Sequence, residues 1–93
     1  MNRRQLIAAA ARRSSLTQRQ VRRALQAIVD AVAESLAEGE PVVLPNFGRF
    51  EAKLYPGRKL RRFGEDGQYT VQERWVPVFK SAPALRRRVR EKK

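Results

Sequence analysis

The stretch from Phe47 to Phe79 constrains this chain more than any other. It opens with Phe47-Gly48-Arg49-Phe50-Glu51, passes through a basic run, Arg58-Lys59-Leu60-Arg61-Arg62, that ends on Phe63, and closes with Val76-Pro77-Val78-Phe79-Lys80. Two strand-like segments with aromatic residues at their bases bracket a long, positively charged, poorly hydrophobic excursion. Unpaired charges are too costly to desolvate, so such an excursion cannot bury itself in a core. Its expected use is to reach out and grip a polyanion.

Charge and size support that expectation. The chain has 93 residues, with 21 Lys+Arg against 9 Asp+Glu and a formal net charge of +12. That length predicts one domain, near the lower limit for independent folding. Cysteine and histidine are both absent. Disulfides and Cys/His zinc sites are thereby excluded, no metal or other cofactor is expected, and a small basic core must gain stability by oligomerising. The apolar run Leu6 to Ala11 is too short for a signal peptide and is flanked by arginines. No segment is long enough to span a bilayer. A soluble, cytoplasmic protein is expected. Its surplus positive charge repels itself unless counterions or phosphates surround it. Nucleic acid is the first expected partner, ahead of an anionic membrane surface.

The elements follow from periodicity and punctuation. Asn2 with Gln5, and Thr17 with Gln20, have the spacing of capping boxes. A first helix is expected over Arg3–Arg13, with Leu6, Ile7, Ala10 and Ala11 on its apolar face, broken at Ser14-Ser15. A second is expected over Gln18–Glu38, where Val21, Ala24, Leu25, Ile28, Val32 and Leu36 recur at spacings of three and four. Gly39 is its natural stop and Pro41 prevents continuation. These apolar faces are wide for so small a pair of helices, so something else must cover them.

Val42-Val43-Leu44 has the character of a short strand, and Pro45-Asn46 that of a turn. A second strand is expected over Arg49–Tyr55 and a third over Gln68–Phe79. Gly64-Glu65-Asp66-Gly67 signals a hairpin turn. A two-residue turn at Asp66-Gly67 moves the tip toward those residues, whereas a four-residue loop leaves Phe63 beside the tip. Ser81 is the expected cap of a last helix, with Pro83 in its first turn and Leu85 and Val89 as anchors. Phe47, Phe50 and Phe79 are expected in the core. Trp75 is expected to stack on Tyr55 and Pro56 at the arm base, with contact to a DNA sugar as the alternative.

This order of elements, with the residues that mark it, resembles the HU/integration host factor family of bacterial nucleoid DNA-binding proteins. The marks are Met1-Asn2-Arg3, Leu16-Thr17, Glu38-Gly39-Glu40, Phe47-Gly48-Arg49-Phe50, Arg58-Lys59, and Val76-Pro77-Val78-Phe79-Lys80 with Leu85. They cover essentially the whole chain without a gap. The resemblance implies an α+β fold in an HU-like intertwined dimer. Each chain would supply a two-helix N-terminal hairpin, a three-stranded antiparallel sheet with an extended β-hairpin arm, and a short C-terminal helix. It implies one domain over 1–93, with a helical dimerisation part at 1–47, sheet and arm at 48–80, and a C-terminal helix and basic tail at 81–93. A homodimer is expected, and a heterodimer with a related chain is the alternative.

The implied function is histone-like: largely sequence-independent binding, bending and compaction of double-stranded DNA in the nucleoid, by basic arms in the minor groove. The residues expected at DNA are Lys53, Arg58, Lys59, Arg61, Arg62 and Arg74 on the arm, and Arg3, Lys80 and Arg86 on the body. Tyr55 and Pro83 stand where the family often has basic residues. At the arm position where the family carries Asn-Pro, this chain has Arg62-Phe63. The family proline wedges between base pairs, and Phe is another wedge that minor-groove binders use, so Phe63 is expected to take that part. Packing of Phe63 along the hairpin on Leu60 or Tyr69 is the competing explanation. Two other functions stand beside this one: a protein that bridges or compacts DNA with little bending, and a basic RNA-binding protein. Catalysis is not expected, because no serine has a histidine to activate it and no glycine spacing forms a phosphate loop.

Overall fold

Asn2 starts the first helix by a reciprocal cap. Its side-chain oxygen accepts from the Gln5 amide at 2.9 Å, and its own amide donates to Gln5 Oε1 at 2.8 Å. The same exchange joins Thr17 and Gln20, at 3.1 and 2.9 Å. Both boxes satisfy amides that a helix start leaves unpaired. The computed structural model describes residues 1–61 and 68–92, with the side chains of 58–61, 68–69 and 71 excepted. Its elements are α1 (Arg3–Ser14), α2 (Gln18–Ala37), β1 (Val42–Leu44), β2 (Gly48–Tyr55), β3 (Arg58–Arg61), β4 (Gln68–Val71), β5 (Arg74–Ser81) and α3 (Pro83–Arg90). The chain divides into two compact units, Met1–Glu34 and Ser35–Lys93.

In the first unit, α1 ends where Ser15 turns left-handed, at φ 60°. Ile7 and Val21 are the buried hydrophobic residues among those described, while Leu6, Ile28 and Val29 remain 47%, 58% and 51% exposed. The expected apolar stripe is therefore present on α2 but only partly covered. The second unit begins with the close of α2. The Gly39 amide donates to the Leu36 carbonyl at 3.0 Å and the Glu40 amide to that of Ser35 at 2.9 Å. This is the paired Schellman closure, and it requires the positive φ of 83° that Gly39 adopts.

The strands β1, β2 and β5 form one antiparallel sheet in that order, and β3 pairs with β4. Leu44 faces Gly48 across a turn in which the Phe47 amide donates to the Leu44 carbonyl. Pro45 and a left-handed Asn46, at φ 66°, occupy its centre, the arrangement that Pro and Asn favour. Gly48 is buried, and a β-carbon there would lie 2.6 Å from both the Lys80 carbonyl oxygen and the Phe79 ring. The absence of a side chain at Gly48 is thus what lets Phe79 pack on the sheet.

Several expectations change. The third strand is two, β4 and β5, separated by Gln72-Glu73. The cause lies opposite, where Pro56 has no amide to donate and interrupts the ladder beyond Tyr55. Pairing resumes in the same register, Tyr55 with Arg74 and then Arg58 with Val71. The N-cap of α3 is Ala82 rather than Ser81, with no side-chain cap. Ser81 is held in the sheet by pairing with Gly48, so the helix starts one residue later, with Pro83 in its first turn as expected. Within the single chain Leu85 is half-buried, as expected of an anchor, whereas Val89 is 57% exposed and packs on little of this chain.

The three phenylalanines do cluster. Phe79 lies 5.5 Å from Phe47 and 4.9 Å from Phe50 between ring centroids. They are not a closed core, however, because Phe47 and Phe79 remain 45% and 42% exposed. One chain supplies too little apolar material to cover the outer side of that cluster. Among the described residues, no helix is long and apolar enough to cross a membrane.

Candidate nucleic-acid interface

Cross-strand partners in an antiparallel sheet point to the same face. The β2–β5 register therefore sorts side chains without ambiguity. One face carries Phe50, Ala52 and Leu54 with Trp75, Pro77 and Phe79. The other carries Arg49, Glu51, Lys53 and Tyr55 with Arg74, Val76, Val78 and Lys80. The polar face thus gathers four cations around a single carboxylate. Beyond Tyr55 and Arg74 the same hairpin continues into β3 and β4, which places the backbone of Arg58, Lys59 and Arg61 on the extension of this ladder.

Two arrangements organise the face. Tyr55 sits between cations, with Lys53 Nζ and Arg74 Cζ each 5.7 Å from its ring centroid. The ring quadrupole draws both cations toward its face. Glu51 links the other two, 2.8 Å from Lys80 Nζ and 3.2 Å from Arg49 Nε. The hydrogen bond from Lys80 holds the Glu51 carboxyl below its ordinary value of 4.5. Partial burial opposes this, and the charges of Lys80, Arg49 and Lys53 add to the lowering. A depressed carboxylate stabilises the fold above its unfolded value and loses that contribution as pH falls through the lowered one. The pairing is therefore intact at neutral pH and fails only below about pH 4.5.

At neutral pH, Glu51 competes with any phosphate for Lys80 and Arg49. Glu51→Gln is expected to raise affinity for duplex DNA by about 2- to 5-fold, the scale of an exposed ion pair, and to flatten the acid limb of the stability profile. Fluorescence anisotropy titration against pH-dependent denaturation separates the two effects. Unchanged or weaker DNA affinity would remove Lys80 and Arg49 from the binding surface.

Of the residues expected at DNA, the structure brings Lys53, Arg74 and Lys80 together on this face. Arg58, Lys59 and Arg61 lie in β3. Arg86 is on α3, where its guanidinium donates to the Ser81 carbonyl and, at 3.4 Å, to Ser81 Oγ. Arg3 lies in the other unit and donates to Gln26 Oε1 at 3.0 Å. Arg62 and Phe63, and the choice between tip turns, lie outside the described residues. Trp75 departs from its expected place. Its cross-strand partner is Leu54, on the face opposite Tyr55, and it is 67% exposed. Arg49, Glu51 and the cation-holding role of Tyr55 went unforeseen. Their signal was the strict alternation of Arg49, Glu51, Lys53 and Tyr55 with Phe50, Ala52 and Leu54.

The chain as a whole is similar to known bacterial proteins. The family model described as bacterial DNA-binding protein matches residues 1–90. An Anabaena HU–DNA cocrystal structure is similar at a TM-score of 0.87 and 27% identity, covering 99% of this chain and 100% of that one. HU from Thermotoga maritima is similar at 0.68 and 28%, covering 96% and 98%. An HU mutant from the same organism is similar at 0.71 and 29%, covering 96% and 99%. The family match along nearly the whole length, together with HU structures of the same fold, shows that this chain belongs to the HU family of bacterial DNA-binding proteins.

Proposed function

We propose that this protein binds double-stranded DNA with little sequence preference, and bends and compacts it in the bacterial nucleoid as a cytoplasmic, architectural protein. The observation that carries the reading is a basic hairpin that keeps one register across the break at Pro56. Four cations on the polar face of β2 and β5 are followed, beyond Pro56-Gly57, by the basic strand β3. Cations that meet phosphates position a protein on DNA but read little sequence. In this reading Lys53, Arg58, Lys59, Arg61, Arg62 and Arg74 follow the minor groove, and Arg3, Lys80 and Arg86 meet flanking phosphates. Specificity comes from deformability and favours nicked or flexible sites.

The working unit is a homodimer. Residues 1–47 supply most of its interface, 48–80 the sheet and arm, and 81–93 the last helix and tail. Ile28, Val29, Phe47 and Phe79, all open to solvent in a single chain, become its core.

Phe63 stands where the family places its wedging proline, and in this reading it inserts between base pairs. Partial unstacking costs a few kcal/mol, offset by the contacts that bent DNA makes with the body. Phe63→Ala is expected to reduce the bend more than it reduces affinity for linear DNA. Fluorescence energy transfer between duplex ends measures the bend, and gel shifts on linear, nicked and four-way DNA at several salt concentrations measure affinity. Equal bends from both proteins would reject the wedge. Little bending by either would favour compaction without kinking. Preference for structured RNA over duplex DNA in competition would reject the DNA reading itself.

A further inference from the structure

The first 29 residues hold seven arginines and no carboxylate. None of them belongs to the arm, and in the structure they are carried by the helical hairpin of α1 and α2. Arg19, Arg22 and Arg23 stand at i, i+3 and i+4, on one face of α2, and all three are exposed. An open groove of about 390 Å³ is lined by Arg3, Arg4, Ile7, Gln18 and Arg22. Three guanidinium groups thus converge on one concavity whose apolar part is the buried Ile7. Arg3 is engaged with Gln26, which in turn donates to Asp30. Among the described residues, Arg4 and Arg22 have neither an ion-pair partner nor a side-chain hydrogen bond.

This placement works against the isolated fold. Neither helix has an acidic residue in its first turn, where arginines face the positive end of the helix dipole. Like charges at i+3 and i+4 repel as well. Both penalties are offset when a polyanion lies on the surface, because guanidinium groups pair with phosphate in two-point geometry. Arginines grouped without an intervening carboxylate suit a regular phosphate backbone better than the mixed charges of a protein surface.

We propose that the helical hairpin carries a second duplex-binding surface, centred on Arg4 and Arg22 with Arg19 and Arg23 beside them, so that one protein molecule holds two DNA segments at once. The inference rests on the DNA-binding reading above, in which the arm, with Arg3, Lys80 and Arg86 on the body, takes the first duplex, so Arg3 at the groove's edge stays with that duplex.

The test combines Arg4→Gln, Arg22→Gln and Arg23→Gln, exposed changes that keep good helix formers. A duplex on beads captures a labelled second duplex only when the protein bridges them, whereas a gel shift at limiting protein reads the first duplex alone. The wild-type protein is expected to capture the second duplex. The triple variant, shown folded by circular dichroism, is expected to lose capture by about 10-fold or more while first-duplex affinity changes by less than about 2-fold. No capture by the wild-type protein, capture unchanged in the variant, or equal loss in both measurements would each overturn the second surface. Failure of the wild-type gel shift itself would instead refute the DNA-binding reading.

Discussion

Diluting the protein a thousandfold is expected to lower its unfolding temperature by on the order of 10 °C, because folding and association are one process. Among the described residues, the buried hydrophobic side chains are Ile7 and Val21, while Ile28, Val29, Phe47 and Phe79 are between 42% and 58% exposed. So thin a core does not offset the conformational entropy of a chain this short. A second copy that covers those surfaces supplies what is missing. A thousandfold dilution changes the association free energy by about 4 kcal/mol, and the unfolding entropy of two such chains converts that into the stated shift. Ile28→Asp sharpens the test, since a carboxylate in a desolvated apolar seam costs several kcal/mol. At micromolar concentration this variant is expected to be largely unfolded by circular dichroism, with monomeric mass in sedimentation. A midpoint independent of concentration, or a folded monomeric variant, would contradict the dimer.

Removing the arm charges is expected to have the largest effect on DNA. Replacing Arg58, Lys59, Arg61 and Arg62 with Ala deletes four cations per arm. Each phosphate contact contributes about −0.9 to the slope of log affinity against log salt. The slope is therefore expected to flatten by up to about 3.6 for each arm engaged, and affinity near 0.1 M salt to fall by about 100-fold or more. The loss should be similar for unrelated sequences, because phosphate contacts carry no base information. Gel shifts between low and moderate salt measure both quantities. An unchanged slope would move the binding surface off the arm.

The two capping boxes, the Schellman stop at Gly39, the turn at Pro45-Asn46 and the basic character of the arm were legible without coordinates. Each depends on residues only a few positions apart, so local backbone chemistry is enough to specify it. The α2 stripe was legible for the same reason, since its spacing of three and four is a property of one helix. The interruption at Pro56 was not read, although proline's missing amide was visible, because its consequence falls on Gln72 and Glu73 across the ladder.

The polar face belongs to the other kind of information. That Glu51 stands between Arg49 and Lys80, that Tyr55 lies between Lys53 and Arg74, and that Trp75 faces Leu54 all follow from one register. A shift of a single residue exchanges the faces of a strand. That register brings the Phe79 ring and the Lys80 carbonyl against Gly48, where any side chain would collide. The partial exposure of Phe47 and Phe79 is likewise invisible to pattern reading. Alternation shows which side chains avoid water, but not whether one chain holds enough apolar surface to keep it out. The signs of charge and the ends of α1 and α2 come from neighbours in sequence, whereas the start of α3 waits on the pairing of Ser81 with Gly48. The pairing of charges across strands and the open core come from neighbours in space, whose proximity depends on packing distant segments together.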